Sequence, residues 1–587
     1  MSAGITSPEQ LPMCRRWLAT LLSFALLVSP LPLLAANSEP IIRYDSIHHP
    51  VVSDDGMVAT QHRIASEVGA EILSAGGNAV DAAVAVGFAL AVVLPRAGNL
   101  GGGGFMLIHL AGEGKTIALD YREMAPAAAH RDLFIGSDGE VDGEKARFSH
   151  AAAGVPGTVA GLLHAQQRYG RLPLRTVIKP AIKLADKGFP VTRDLAEKLA
   201  QAGRLQANAE SRRVYYRKDG SAYRPGELLQ QPDLAWSLKQ IQRHGAAAFY
   251  DGAIAEHLVA EMEANGGLIT RDDLRNYQVV ERQPVVGSYH GYTIASMPPP
   301  SSGGVHLVQL LNILENFPLA GMGANSAAAI HTMTEAMKWA YADRSVYLGD
   351  PDYVDVPVAE LTDKAYARQI ATAIDGDRAL ASEAIRPGAK LGYESPDTTH
   401  YSVVDSEGNA VANTYTLNFS FGSGITVPGT GILLNNEMDD FSSKPGVPNA
   451  YGLIGAEANA IAPGKRPLSS MTPTLVLQDG KPVLVTGSPG GSRIITTVLQ
   501  VMVNVLDHHM NMAEAVHQPR FHHQWQPDML FLEPGFSVDT VRLLEAKGHK
   551  LRQVSTMGSA QSILLQNGVS YGAADPRKPD AAVAVPR

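Results

Sequence analysis

The sequence predicts an α+β fold, and three observations carry that expectation. Helical and strand periodicities alternate along most of the chain; residues 398–416 read as a β-hairpin; and "KPVLVTGSPGGSRIITTVLQVMVNVL" reads as a strand, a glycine turn and a helix. With 587 residues, 45% hydrophobic and 18% charged, the chain has the composition of an ordinary globular protein and shows no signature of disorder.

The first element is a leader. Arg15 and Arg16 precede the apolar "WLATLLSFALLVSPLPLLAA", which ends in small residues ahead of polar Asn37, so residues 1–36 read as a secretory signal peptide cut after Ala36. The paired arginines admit twin-arginine export, and a membrane anchor is the competing reading of the same flanks. Export places the protein in the periplasm or in the medium. Cys14 is the only cysteine and lies inside the leader, so the mature chain can hold no disulfide, thiolate nucleophile or cysteine-ligated metal. Of 49 basic and 58 acidic residues the leader takes Arg15, Arg16 and Glu9, which moves the formal charge from −9 to −10 and leaves no basic footprint for nucleic acid.

"QHRIASEVGAEILSAGGNAVDAAVAVGFALAVVLP" predicts an amphipathic helix stopped at Gly76-Gly77, then an alanine-rich helix apolar on nearly every side, as a core helix is. Its apolar run, Ala82 to Leu94, is shorter than the roughly 20 residues a bilayer span needs. "AGNLGGGGFMLIHL" is a glycine run feeding a strand, compatible with close backbone packing or with a site loop. It is no phosphate loop of the usual kind, because no Lys-Ser or Lys-Thr follows. "MPPPSSGGVHLVQLLNILENF" places a turn before a helix whose Leu307, Leu310, Leu311 and Leu314 mark one buried face. From Gly376 to Asp397 periodicity is lost, which predicts an exposed linker where the chain could be cut.

Behind that linker, "TTHYSVVDSEGNAVANTYTLN" fits two strands joined by Ser406-Glu407-Gly408, with glycine where positive φ is required. Pairing Asp405 with Asn409 fixes the register, so cross-strand partners sum to 814 and Thr398 faces Thr416. Alternation then puts Thr416 and Asn418 on one face. Threonine is common in strands for its β-propensity alone. The coincidence of a linker, Pro396-Asp397 and a facing threonine points instead to chemistry. A hydroxyl needs a base, and a cut immediately before a threonine supplies one in the freed α-amine, which titrates near pH 8 in model compounds. Thr398 and Thr416 are expected to come within about 2.5–3.0 Å of each other in the cut enzyme.

"TTHYSVVDSEGNAVANTYTLNFSFG", "DYREMAP", "LLNNEMDDF", "KRPLSSMTPT" and "TGSPGGSRI" together resemble the blocks of the γ-glutamyltranspeptidases, in family order from about residue 45 to the C-terminus. The resemblance implies an N-terminal-nucleophile hydrolase with a four-layer αββα sandwich. It implies a precursor that cleaves itself between Asp397 and Thr398 into a large subunit, 37–397, and a small subunit, 398–587, which form one fold as a heterodimer. It also implies Thr398 as nucleophile, Gly490 and Gly491 as oxyanion hole, Arg122 with Ser469 and Ser470 as clamp for the substrate α-carboxylate, and Asn418 and Asp440 as holders of the α-ammonium. Glu437 stands where many bacterial relatives have glutamine, which keeps an acceptor and alters binding strength. The loop at 441–455 matches a lid, with Tyr451 as its gate.

Read by itself, Arg122 could equally form a surface ion pair with Asp120 or Glu123, and the strand–glycine–helix unit could hold a phosphate, although no lysine follows its glycines. The adjacent pairs His508-His509 and His522-His523 point to different sides of any helix or strand, so neither chelates a metal well; no metal and no cofactor is expected. The implied activity is γ-glutamyl transfer or hydrolysis on glutathione and related compounds, with water, amino acids or peptides as acceptors. Two rivals stand beside it: a β-lactam side-chain acylase of the same fold, and an exported solute-binding protein, which would remain a single uncut chain.

Overall fold

A computed structural model describes residues 46–385, 398–444, 447 and 455–587. The expected leader, Asp397 and Tyr451 lie outside the described residues.

Two seven-stranded antiparallel sheets form the centre. The first runs, in spatial order, Ala582–Ala584, Gly56–Thr60, Thr398–Asp405, Ala410–Thr416, Gly103–Leu110, Lys115–Tyr121 and Val280–Arg282. The second runs Val51–Ser53, Val569–Ala574, Gln561–Gln566, Lys481–Thr486, Thr474–Gln478, Tyr292–Ser296 and Val285–Tyr289. Strand alternation sorts the side chains of the first sheet into two cores. Val58, Met106, Tyr401, Val403 and Val411 pack under the helix Ala79–Val93. Met57, Ala59, Leu107, Val404 and Ala412 join Val476, Val485 and Ile563 of the second sheet in the other core, which continues into helices Gly303–Leu314 and Arg493–Leu506. Helix, sheet, sheet, helix is the resulting order, and the α+β sandwich expected from the sequence is the fold.

The helix Ala79–Val93 is buried at every position. Asn78 and Asp81 start it with a reciprocal capping box, and the preceding helix Arg63–Ser74 ends just short of Gly76, whose φ is +87°. The glycine run packs against the hairpin: a Cβ on Gly102 would stand 2.0 Å from the Thr416 carbonyl oxygen, and one on Gly104 2.5 Å from that of Thr414. Of its two readings, close backbone packing is the one realised.

Two expectations need correction. Helix Gly303–Leu314 is buried all round, not on one face, because further helices cover the side the leucine spacing left open. The second is partial: residues 376–385 of the segment read as an exposed linker are exposed at most positions, but Ser382 and Ile385 are buried, the Ser382 hydroxyl donates to Asp528, and Trp525 Nε1 donates to the Ser382 carbonyl.

Candidate active site

The hairpin has the expected register. Thr398 pairs with Thr416 and Val403 with Val411, and Gly408 adopts φ +88° in the loop. Thr398 and Thr416 therefore sit at the open end of adjacent strands, on the face turned towards the second sheet. Thr398 Oγ1 donates to Thr416 Oγ1 at 3.3 Å in the intact chain, longer than the separation expected after cleavage, and the Asn418 backbone N–H donates to the same Thr416 oxygen at 2.8 Å. Asn418 reaches the site by a different route from the one expected. The strand ends at Thr416, and Asn418 lies beyond it at φ +74°, where a turn, not strand alternation, directs it inwards; its amide donates to the Asn436 carbonyl at 2.9 Å.

His400, two residues along, takes no part in the pocket. Its ring meets Thr414 Oγ1 at 2.8 Å and Ser402 Oγ at 3.1 Å, it packs on Gly487, and burial pulls it down to about 3. A neutral, enclosed imidazole leaves Thr398 without a histidine base.

A single cavity is lined by Thr398, Thr416, Asn418, Gly491, Arg122, Glu437, Asp440, Ser469 and Ser470. Every one of these was expected from the sequence. Gly490 does not line the cavity itself, but stands next to Gly491 in the turn after strand Lys481–Thr486, at φ +132°, a conformation that an L-residue side chain disfavours. The carbonyls of Gly490 and Gly491 accept from the amides of Arg493 and Ile494 as the helix opens.

Arg122 follows the strand Lys115–Tyr121 and is wholly buried, which removes the surface-pair reading. Its Nε donates to the Pro467 carbonyl at 3.2 Å, and its two terminal nitrogens donate one to Glu437 and one to Asp440, while Glu123 lies 3.6 Å away. Burial works to lower the guanidinium's pKa, but the three carboxylates outweigh it and raise it. The carboxylates respond in turn. Burial raises Glu437 well above the ordinary range against the pull of Arg122, with Glu123 and Asp440 adding repulsion. Burial likewise lifts Glu123 to about 7, again opposed by Arg122. One cation thus faces more carboxylates than it can hold ionised in a dry site. Glu437 Oε2 is buried with no hydrogen-bond partner among the described residues.

Ser469 and Ser470 enter from the loop that crosses Pro300 and Ser302. The Ser469 amide donates to the Pro300 carbonyl at 2.9 Å, and the Ser302 amide donates to the Ser469 carbonyl at 2.8 Å. Sequence reasoning missed Arg344, which also lines the cavity and donates to Ser470 Oγ at 3.1 Å and to Ser302 Oγ at 3.0 Å. No local signal marked it, because the helix Ala327–Tyr347 also carries Glu335, Lys338 and Asp343. Leu468, Met471 and Ile494 supply the apolar part of the wall. Both adjacent histidine pairs lie away from this cavity; in one, His522 meets Thr496 and Gln524, while His523 accepts from the Trp525 amide.

Chemically, the cavity sets a hydroxyl pair and a glycine turn beside two guanidiniums, Arg122 flanked by two carboxylates and Arg344 held by serine hydroxyls. A small zwitterion with its carbonyl near Thr398 matches that pattern of charges.

Residues 65–585 match the family model described as gamma-glutamyltranspeptidase. The chain is 56% identical over 551 residues to the glutathione hydrolase proenzyme of Escherichia coli K12, covering 93% of this chain and 95% of that one. Among solved structures, cephalosporin acylase from Bacillus halodurans superposes with a TM-score of 0.83 at 29% identity, covering 94% of this chain and 99% of the other. A Helicobacter pylori gamma-glutamyltranspeptidase chain does so with a TM-score of 0.55 at 47% identity, covering 59% and 97%. Sequence blocks, sandwich and cavity agree with these matches, and the chain belongs to the γ-glutamyltranspeptidase family.

Proposed function

We propose that this protein is an exported, self-processed γ-glutamyltransferase and glutathione hydrolase. The observation that carries the reading is the placement of Arg122, Glu437 and Asp440 in one cavity with Thr398. A γ-glutamyl group bears an α-carboxylate and an α-ammonium, and this set offers a cation to one and acceptors to the other. When the substrate carboxylate takes Arg122, with Ser469 and Ser470 beside it, Asp440 and Glu437 are freed to receive the ammonium, together with Asn418.

Catalysis begins with the chain's own cleavage. Thr398 Oγ1 attacks the carbonyl of residue 397 and forms an ester, and water hydrolyses that ester to leave Thr398 with a free α-amine. In the mature enzyme this amine takes the hydroxyl proton as Oγ1 attacks the γ-carbonyl of the substrate. Thr416 holds the hydroxyl in place, and the backbone of Gly490 and Gly491 stabilises the oxyanion. The amine of the leaving group recovers the proton, and the γ-glutamyl ester passes to water or to an amino acid or peptide. The large and small subunits remain together as a heterodimer because both contribute strands to each central sheet.

A denaturing gel together with a γ-glutamyl anilide assay tests the reading: two chains and release of the aniline are expected. One uncut chain that binds solutes without turnover overturns it. Turnover of a β-lactam acyl side chain lacking an α-ammonium, in preference to the γ-glutamyl compound, would make it an acylase instead.

A further inference from the structure

Outside the cavity, though sharing helix Ala327–Tyr347 with its Arg344, three side chains with metal-ligating atoms converge. His331 and Glu335 stand one turn apart on helix Ala327–Tyr347, and His549 precedes the strand Leu551–Gln553. All three are buried, and one ligand atom from each lies within 4.8 Å of the others. We propose that His331, Glu335 and His549 bind a divalent transition-metal ion of the zinc type.

The hydrogen bonds around the cluster argue for this use. His331 Nε2 lies 2.7 Å from the Asp375 carbonyl, an acceptor only, so that nitrogen carries the proton and the Nδ1 lone pair accepts from His549 Nε2, a bond that an ion would replace. Nδ1 points at His549 Nε2, 2.7 Å away. A ring held by a backbone carbonyl on one nitrogen and presenting the other is how ligating histidines are oriented. Glu335 is braced in the same manner: the Leu380 amide donates to its Oε2 at 3.0 Å. Two imidazoles and a carboxylate are a zinc donor set, with a fourth position left for water. Metal–nitrogen bonds of about 2.0–2.1 Å at a tetrahedral angle put the two ring nitrogens about 3.3 Å apart, so they must part by roughly 0.6 Å from their present 2.7 Å contact.

The feature opposing a cation is Lys338, whose ammonium lies 2.7 Å from Glu335 Oε1. Asp528, 3.9 Å from that ammonium, offsets it. Two carboxylates, Glu335 and Asp528, thus stand against two ammoniums, Lys338 and Lys547, the second of them paired with Asp377. Lys338 also donates to the Leu380 carbonyl at 2.6 Å. An ion here would fasten helix Ala327–Tyr347 and the 375–380 segment to residue 549. In a chain cut before Thr398, its ligands would come from both products. The site is independent of the activity proposed above.

The test uses the purified mature protein, stripped with EDTA and exchanged into chelator-free buffer, then given Zn2+ and passed through gel filtration. One zinc per heterodimer by mass spectrometry, and a Tm that rises with Zn2+, are expected. His549→Gln should lose that equivalent and the Tm response, yet keep wild-type kcat/KM on a γ-glutamyl anilide without zinc; His508→Gln should retain both zinc and response. Absence of retained zinc in the wild type, or equal retention in wild type and His549→Gln, overturns the proposal. Should His549→Gln fail to fold, His331→Asn replaces it under the same criteria.

Discussion

Thr398 and Thr416 face each other across an antiparallel hairpin with their hydroxyl oxygens 3.3 Å apart, and the Asn418 amide fixes the second hydroxyl from beyond the strand end. Nothing in that arrangement is a histidine or a carboxylate, so the proton of Thr398 needs another acceptor. The proposed function supplies one in the α-amine that cleavage before Thr398 would release, and the first two predictions test that proposal.

Thr398→Ala should accumulate as a single uncut chain without activity, while the wild-type small subunit should begin Thr-Thr-His-Tyr. Gel electrophoresis and N-terminal sequencing check both. A start at Thr399 would move the nucleophile by one residue, onto the opposite face of the strand.

Thr416→Val keeps shape and strand propensity but removes the hydroxyl. Loss of the bond to Thr398, about 0.5–1.5 kcal/mol, predicts precursor cleavage and turnover slowed by roughly 2–10-fold, and the buried Asn418 N–H, left without its acceptor, lowers Tm as well. Time courses on gels and kcat measurements read this. Normal processing in the valine variant would contradict it.

Arg122→Lys retains charge and loses the planar fork that reaches Glu437 and Asp440 through separate nitrogens. Processing should continue. For a γ-glutamyl anilide, kcat/KM should fall about 10–1000-fold, the range for one lost charge-assisted contact plus misalignment. An unchanged kcat/KM would put Arg122 outside substrate binding.

Glu123 yields a stability prediction. Burial raises it to about 7 in the folded protein, against 4.5 for the ordinary group, so between those values the folded state binds more protons than the unfolded one. Its contribution to stability is then lost as pH rises from about 4.5 to 7, and the cost stays in full above that window. Glu123→Gln cannot ionise. Its Tm relative to wild type should therefore be higher at pH 8 than at pH 5, and thermal melts at the two values decide it; a constant difference would mean that Glu123 is ionised throughout.

How much of this was legible in advance depends on the range over which each feature is determined. The helix at 79–93, the hairpin register and the glycine turn at 490–491 are local. Periodicity, loop length and the side-chain alternation of a strand fix them without reference to the rest of the chain, and a one-residue slip would have turned Val403 and Val411 out of their core. The five blocks likewise carried Arg122, Asp440 and the serines into one site, and the cavity holds them all.

What the tertiary structure alone decided involves long sequence separations. Asn418 enters through a left-handed turn whose direction the strand pattern could not give. Arg344 was invisible because an arginine in a helix announces no function until the loop at 469–470 closes over it. The 376–385 segment has no periodicity, yet it docks, because Lys338, Asp528 and Trp525 satisfy its backbone and side-chain groups from distant elements. The metal-ligand cluster is the extreme case: adjacent histidines drew attention in the sequence, whereas the pair that meets, His331 and His549, is 218 residues apart and is brought together only by packing. Local pattern specified the elements and the candidate nucleophile, and burial decided which charges they would have to share.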